Sequence, residues 1–178
     1  LLPLTGAADS MVQVIVHEIR LPMTLMGLVV GASLGLAGVL MQTMLGNPLA
    51  SPFTLGFSAA AGFGAAIVIL TGLSLPLLPQ FTVPLAAFVA AALSALMVFG
   101  FAHLRGMTAE VMVLAGIATL FLFQSLQSMV QYMASPEVLQ EIIFWLFGSL
   151  LKATWANLSI SASIFGGCCL LLFPDVWR

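Results

Sequence analysis

From Leu21 to Leu45 the chain carries no aspartate, glutamate, lysine or arginine. As a helix this run is about 37 Å long at roughly 1.5 Å per residue, enough to cross a bilayer core of about 30 Å with some tilt. Lipid offers the backbone no hydrogen-bonding partner, so such a run must satisfy its own N–H and C=O groups, and a helix does so. The rest of the composition agrees. The chain is 62% hydrophobic and 6% charged, with a mean hydropathy of +1.21, whereas about a quarter of a soluble domain is charged. The fold class expected is all-α, a polytopic transmembrane helical bundle forming one domain over residues 1–178.

Five spans are expected, at about 21–45, 53–72, 81–104, 109–134 and 156–173. In the first, Gly27, Gly31 and Gly35 recur every four residues and leave one face without side chains, a helix-packing seam. The second begins Gly56, Ser58, Ala59, Ala60, Ala61, Gly62, Gly64, so it belongs among other helices, with Gly62 a packing position. Upstream, VQVIVHEIR reads as a short surface helix that ends at Arg20-Leu21-Pro22. Residues 137–151 are too short and too acidic at one end to cross; they read as a short interfacial helix with Trp145 and Trp155 at headgroup level, or else as a plain connecting loop. Arg20 and Lys152 fall on one side and Arg105 and Arg178 on the other, so cation counting sets no orientation.

Between the first two spans lies QTMLGNPLASPFTLGFSAAAGFG, residues 42–64. Asn47-Pro48 and Ser51-Pro52 stand back to back, and no helix passes through both. Gly46 is placed as a left-handed C-cap, and Ser51 as the N-cap of the next helix with Pro52 in its first turn. The segment is an elbow, on local chemistry no more than a tight turn.

Polarity enters a span in quantity only in the fourth. Gln124, Gln127, Ser128, Gln131 and Ser135 share one face of a 3.6-residue helix. An unpaired amide in hydrocarbon costs several kcal/mol, so this stripe faces water or other polar groups. It is either a wet translocation pathway or interhelical hydrogen bonding.

Several classes are excluded. The few charges form no basic face for nucleic acid. His17 and His103 are isolated and Cys168 and Cys169 adjacent, which offers no metal site and no disulfide. No phosphate-binding G-x-x-x-x-G-K-[ST] occurs, so ATP is not bound here by a P-loop. The opening LLPLTGAADS lacks a basic n-region and an apolar core, hence it is no signal peptide, and a chain starting with Leu1 reads as a piece of a longer one.

Arg20-Leu21-Pro22, the elbow Gly46-Asn47-Pro48-Leu49-Ala50-Ser51-Pro52, Leu55-Gly56-Phe57-Ser58 with Ala61-Gly62, Leu114-Ala115-Gly116, and Trp145-Leu146-Phe147-Gly148-Ser149-Leu150 followed by Trp155 together resemble the FecCD-type permeases of ABC importers, which take up iron-siderophores, haem and vitamin B12. The matches extend from Arg20 to Trp155. The resemblance implies a ten-span subunit of the bacterial inner membrane, of which this chain begins after the first span and ends after the sixth. It implies a second permease subunit in a homodimer or close heterodimer, two ATPase subunits that bind the ATP, and a periplasmic or lipid-anchored substrate-binding protein. No cofactor is expected in this chain. Asn47 and Leu49 match residues that narrow the cytoplasmic exit in relatives, with Thr108 nearest to a second constriction. Arg20 matches the first arginine of an Arg-Leu-Pro-Arg that docks the binding protein; Met23 stands in place of the second. The fourth span matches the helix lining the pathway at the dimer interface.

Two rival readings differ in class. Gly56-Phe57-Ser58-Ala59 looks like the G-x-S-G/A of rhomboid-type membrane proteases, with His103 as base, although packing accounts for Ser58 equally well. A passive channel lacks any charged ring within a span.

Overall fold

The computed structural model describes residues 10–76 and 78–176. Its helices are α1 (Ser10–Val14), α2 (Leu21–Leu45), α3 (Phe57–Thr71), α4 (Thr82–Arg105), α5 (Ala109–Met133), α6 (Pro136–Phe147) and α7 (Trp155–Val176), and the described residues contain no strand. Two compact units result, one of Leu1–Leu36 with Ser149–Arg178 and one of Ala37–Gly148. Among the described residues, four helical stretches are long and apolar enough to cross a membrane: Met11–Leu45, Pro79–Arg105, Ala109–Met133 and Trp155–Pro174. The remaining expected span is the shorter apolar helix α3, about 22 Å long at 1.5 Å per residue.

In the first unit the chain does not stop at Arg20-Leu21-Pro22. α1 runs into a π-helical turn, Ile15–Arg20, and directly on into α2. Pro22 would clash with the carbonyl four residues back and has no N–H to give. Widening the preceding turn to the i→i+5 register, in which the Leu21 N–H donates to the Val16 carbonyl, lets the proline ring fit without ending the helix. The surface helix and first span expected separately are one continuous rod.

In the second unit α3 is the hub, in contact with α4, α5 and α6. Its buried positions are Ala60, Gly62, Gly64, Ala65, Ala66 and Val68, so backbones meet closely. A methyl on Gly64 would stand 2.5 Å from the Ala86 carbonyl oxygen and 2.7 Å from Ala90 Cβ. Such contact is what holds helices together where lipid removes the hydrophobic drive between them. α6 closes over this hub by placing Ile142, 1% exposed, against Ala66 and Val130. Ser135 is its N-cap, accepting from the Val138 N–H, Pro136 sits in the first turn, and Gly148 at φ +68° ends it. The two cysteines are free.

Candidate functional site

The elbow is a chain of turns. Gly46, at φ +55°, ends α2 in the left-handed conformation foreseen for it, and the Asn47 N–H reaches back to the Gln42 carbonyl at 3.1 Å. Then Asn47–Ala50 closes through Ala50 N–H to Asn47 O, and Ser51–Thr54 through Thr54 N–H to Ser51 O, both 3.1 Å. Each places its proline second of four, where a fixed φ suits the turn and no N–H is missed. The Asn47 side chain accepts the Leu49 N–H at 2.9 Å. The Thr54 hydroxyl accepts from the Ser51 N–H at 3.1 Å and donates to the Ser51 carbonyl at 2.7 Å.

Ser51 therefore does not cap a helix. α3 starts only at Phe57, after Gly56 at φ +80°, because the Thr54 hydroxyl bridges both Ser51 backbone groups and locks a turn in place of a first helical turn. The two prolines leave no amide unsatisfied, and most of the other elbow amides are paired inside the elbow, which lets irregular backbone persist beside apolar helices.

The elbow is bolted to α5. Leu55, 2% exposed, lies over Gly116, where a methyl would come 2.5 Å from Leu55 Cδ2 and 2.9 Å from its Cα. One residue on, a methyl at Gly56 would stand 2.7 Å from the backbone nitrogen of Leu120. Leu45, Ala50 and Leu55 form the buried cluster here, with Ala109, Met112 and Val113 of α5 packed on it. Two sequence pieces read separately, Leu55-Gly56 and Leu114-Ala115-Gly116, are thus one joint. Their glycines were the signal that would have paired them.

Asn47 and Leu49 share the wall of a cleft of about 300 Å³ with Thr54, Val113 and Ile117. Leu49 is largely exposed there, at 84%. Thr108 lies outside that cleft as the N-cap of α5, its hydroxyl accepting from the Val111 N–H at 3.4 Å. Its neighbour Ala109 packs against the elbow cluster.

On α5 the polar stripe straddles the margin of the unit. Gln124 and Ser128 are exposed, while Gln127 and Gln131 are half-buried. Gln127 turns toward α3: its Oε1 lies 2.6 Å from where a methyl on Gly62 would be, and Leu146 of α6 fills the same gap at 2.8 Å. Gly62 is accordingly a contact position, as its place among small residues suggests.

In the other unit Arg20 is exposed at the end of the π turn. Of the three seam glycines, Gly27 meets Leu150 Cδ1, 3.6 Å from a built methyl, whereas a methyl on Gly31 or Gly35 would meet no described atom within 4 Å apart from the backbone of its own helix. No hydrogen bond joins Ser58 to His103 among the described residues; the His103 ring stacks on Phe99 of its own helix with centroids 6.2 Å apart. No cluster of metal-ligating side chains occurs among them either.

Comparison with known proteins adds the context for this joint and stripe. The chain is 34% identical over 171 residues to the molybdate import system permease of Haemophilus influenzae, covering 96% of the chain and 50% of that protein. To the vitamin B12 import system permease of Klebsiella pneumoniae it is 32% identical over 157 residues, covering 88% and 46%. A solved structure described as an inward-facing metal-chelate type ABC transporter superposes with a TM-score of 0.86 at 29% identity, over 99% of this chain and 55% of that one. The chain spans about half the length of the curated relatives it matches. The family model for FecCD transport proteins matches residues 1–174, nearly all of the sequence, and the chain belongs to the FecCD transport family.

Proposed function

We propose that this chain is part of the permease subunit of an ABC importer that carries a metal chelate of the siderophore, haem or cobalamin kind across the bacterial inner membrane. The complete subunit has ten spans, five of them here, with the elbow making up the length that α3 lacks. It pairs with a second permease subunit, receives its substrate from a binding protein outside, and is driven by two separate ATPase chains; no hydrolytic chemistry is assigned to this one. Asn47, Leu49 and Thr108 narrow the exit, and Arg20 meets the binding protein.

The observation that carries this reading is the polar stripe on α5, with Gln124 and Ser128 uncovered. Amides and hydroxyls held at a bundle margin are stable in a membrane only if water or a partner's polar groups face them. The stripe has no cation to offset an oxyanion and no carboxylate or thiolate for a bare metal ion, which favours a bulky chelate of mixed polarity.

Single cysteines in a cysteine-free, full-length transporter test the assignment. Those replacing Gln124 and Ser128 should react readily with a small water-soluble thiol reagent, and those replacing Gln127 and Gln131 more slowly. Cysteines at Leu122 and Leu126, about 200° away around the helix, should stay inert. If positions 124 and 128 are as inert as 122 and 126 throughout the transport cycle, the stripe is interhelical hydrogen bonding and the pathway lies elsewhere.

A further inference from the structure

The π turn before Pro22 leaves one carbonyl without its natural partner. In the i→i+5 register the Leu21 N–H serves the Val16 carbonyl, and the following amide would serve His17. That following residue is Pro22, which has no N–H. The donor that reaches the His17 carbonyl is instead Trp155 Nε1, at 3.1 Å and 138 residues away in sequence. A side chain has taken over a main-chain hydrogen bond that proline abolished.

The indole is itself held in place. Thr154 caps α7, its hydroxyl accepting from the Asn157 N–H at 3.2 Å and its carbonyl from the Leu158 N–H at 2.9 Å. The 3₁₀ turn Leu150–Lys152 precedes it, with Leu150 resting on Gly27. The segment from Leu150 to Trp155 therefore follows the rod from residue 27 back to residue 17, a distance of about 15 Å.

A π turn inserts one residue into a helix and so rotates everything on its far side by about 100°. Were residues 15–20 to relax to ordinary α register, the turn that carries Arg20 would rewind and Arg20 would change direction relative to α1.

We propose that Trp155 is the positioning residue for Arg20: by donating to the His17 carbonyl in place of the amide Pro22 lacks, it holds the π turn and sets the direction in which Arg20 is presented to a protein partner. The proposal rests on the reading above that Arg20 contacts the binding protein.

The test uses the full-length permease assembled with its ATPase chains in lipid nanodiscs, and its purified, ligand-free binding protein. Trp155→Phe keeps an aromatic side chain, though a smaller one, and removes the donor. Hydrogen exchange at the amides of Ile15–Leu21 should quicken, and docking should weaken by about three- to tenfold, the span of one neutral hydrogen bond. Pro22→Ala restores an N–H at that site, so in its background Trp155→Phe should change neither readout further. A loss of docking of equal size with and without Pro22 would mark a general packing defect and overturn the proposal, as would unchanged exchange. Unaltered docking in Trp155→Phe, alongside weakened, salt-dependent docking in Arg20→Glu, would overturn the positioning role and leave Arg20 as the contact. Docking indifferent to Arg20→Glu would overturn both.

Discussion

Gly56 and Gly116 carry the joint between elbow and α5, for different reasons. Gly116 lies in an ordinary helix and is small because Leu55 sits on it; Gly56 must both adopt φ +80° and let the Leu120 backbone approach. Alanine at 116 forces a side chain or helix to shift, at a cost of about 1–3 kcal/mol. Alanine at 56 meets fixed backbone and a left-handed φ together, and should cost more. Gly100 is also helical, but no described atom lies within 4 Å of a methyl there, so Gly100→Ala should alter stability by less than about 1 kcal/mol. Thermal unfolding of the three variants in one detergent should give the order 56, 116, 100, most to least damaging. At this scale the sequence was informative wherever a residue's own backbone decides. Gly46 could be read as a left-handed cap because that property is local. Ser51 was misread because its fate depends on the Thr54 hydroxyl three residues on, and either partner could have been used by a helix instead.

Elements were readable by length and hydropathy, and least so where one polar or cyclic residue arbitrates. The Arg20-Leu21-Pro22 boundary is the clearest case. Proline usually ends a helix, but a π turn accommodates it here, and the donor that stabilises the turn lies in α7, out of reach of any local pattern. At α6, Ser135, expected on the polar face of the fourth span, lies beyond the end of α5 and instead caps the next helix ahead of Pro136-Glu137. The Glu137 carboxyl is held below the usual carboxylate range, first by a hydrogen bond with its own backbone N–H and then by the Ser135 hydroxyl. A carboxyl whose folded pKa is depressed contributes stability above its unfolded pKa, roughly 4.3, and loses it as pH falls through the folded value. The first turn of α6 should therefore fray as pH drops below about 4.3, seen as faster amide exchange in residues 137–140 relative to the intrinsic rate. Glu137→Gln should abolish that pH dependence, and Ser135→Ala should destabilise the turn at every pH by about 1 kcal/mol.

At the scale of the whole molecule, what the chain leaves uncovered says most about its setting. The stripe's periodicity on α5 was legible from spacing alone, but its division was not: Gln127 leans in because Gly62, on a different helix, vacates the space, while Gln124 and Ser128 stay out. The first-span glycines show a similar division. Gly27 has Leu150 against it, whereas Gly31 and Gly35 open onto empty space and are exposed. Glycine inside a helix costs roughly 0.5–1 kcal/mol against alanine, and a membrane helix recovers that only where another backbone comes close. Among the described residues of their own unit nothing comes close at 31 and 35, and the benefit is expected from a packing partner in the complete assembly. Gly31→Leu and Gly35→Leu should then leave the helix content and unfolding midpoint of the isolated chain in detergent unchanged or slightly raised. The same substitutions in the full-length protein should reduce the yield of assembled complex on size-exclusion chromatography, while Val30→Ala, exposed and roughly 120° around α2 from that face, should not. Normal assembly of both leucine variants would mean that the open face meets only lipid, and that the repeat of glycines serves no packing partner.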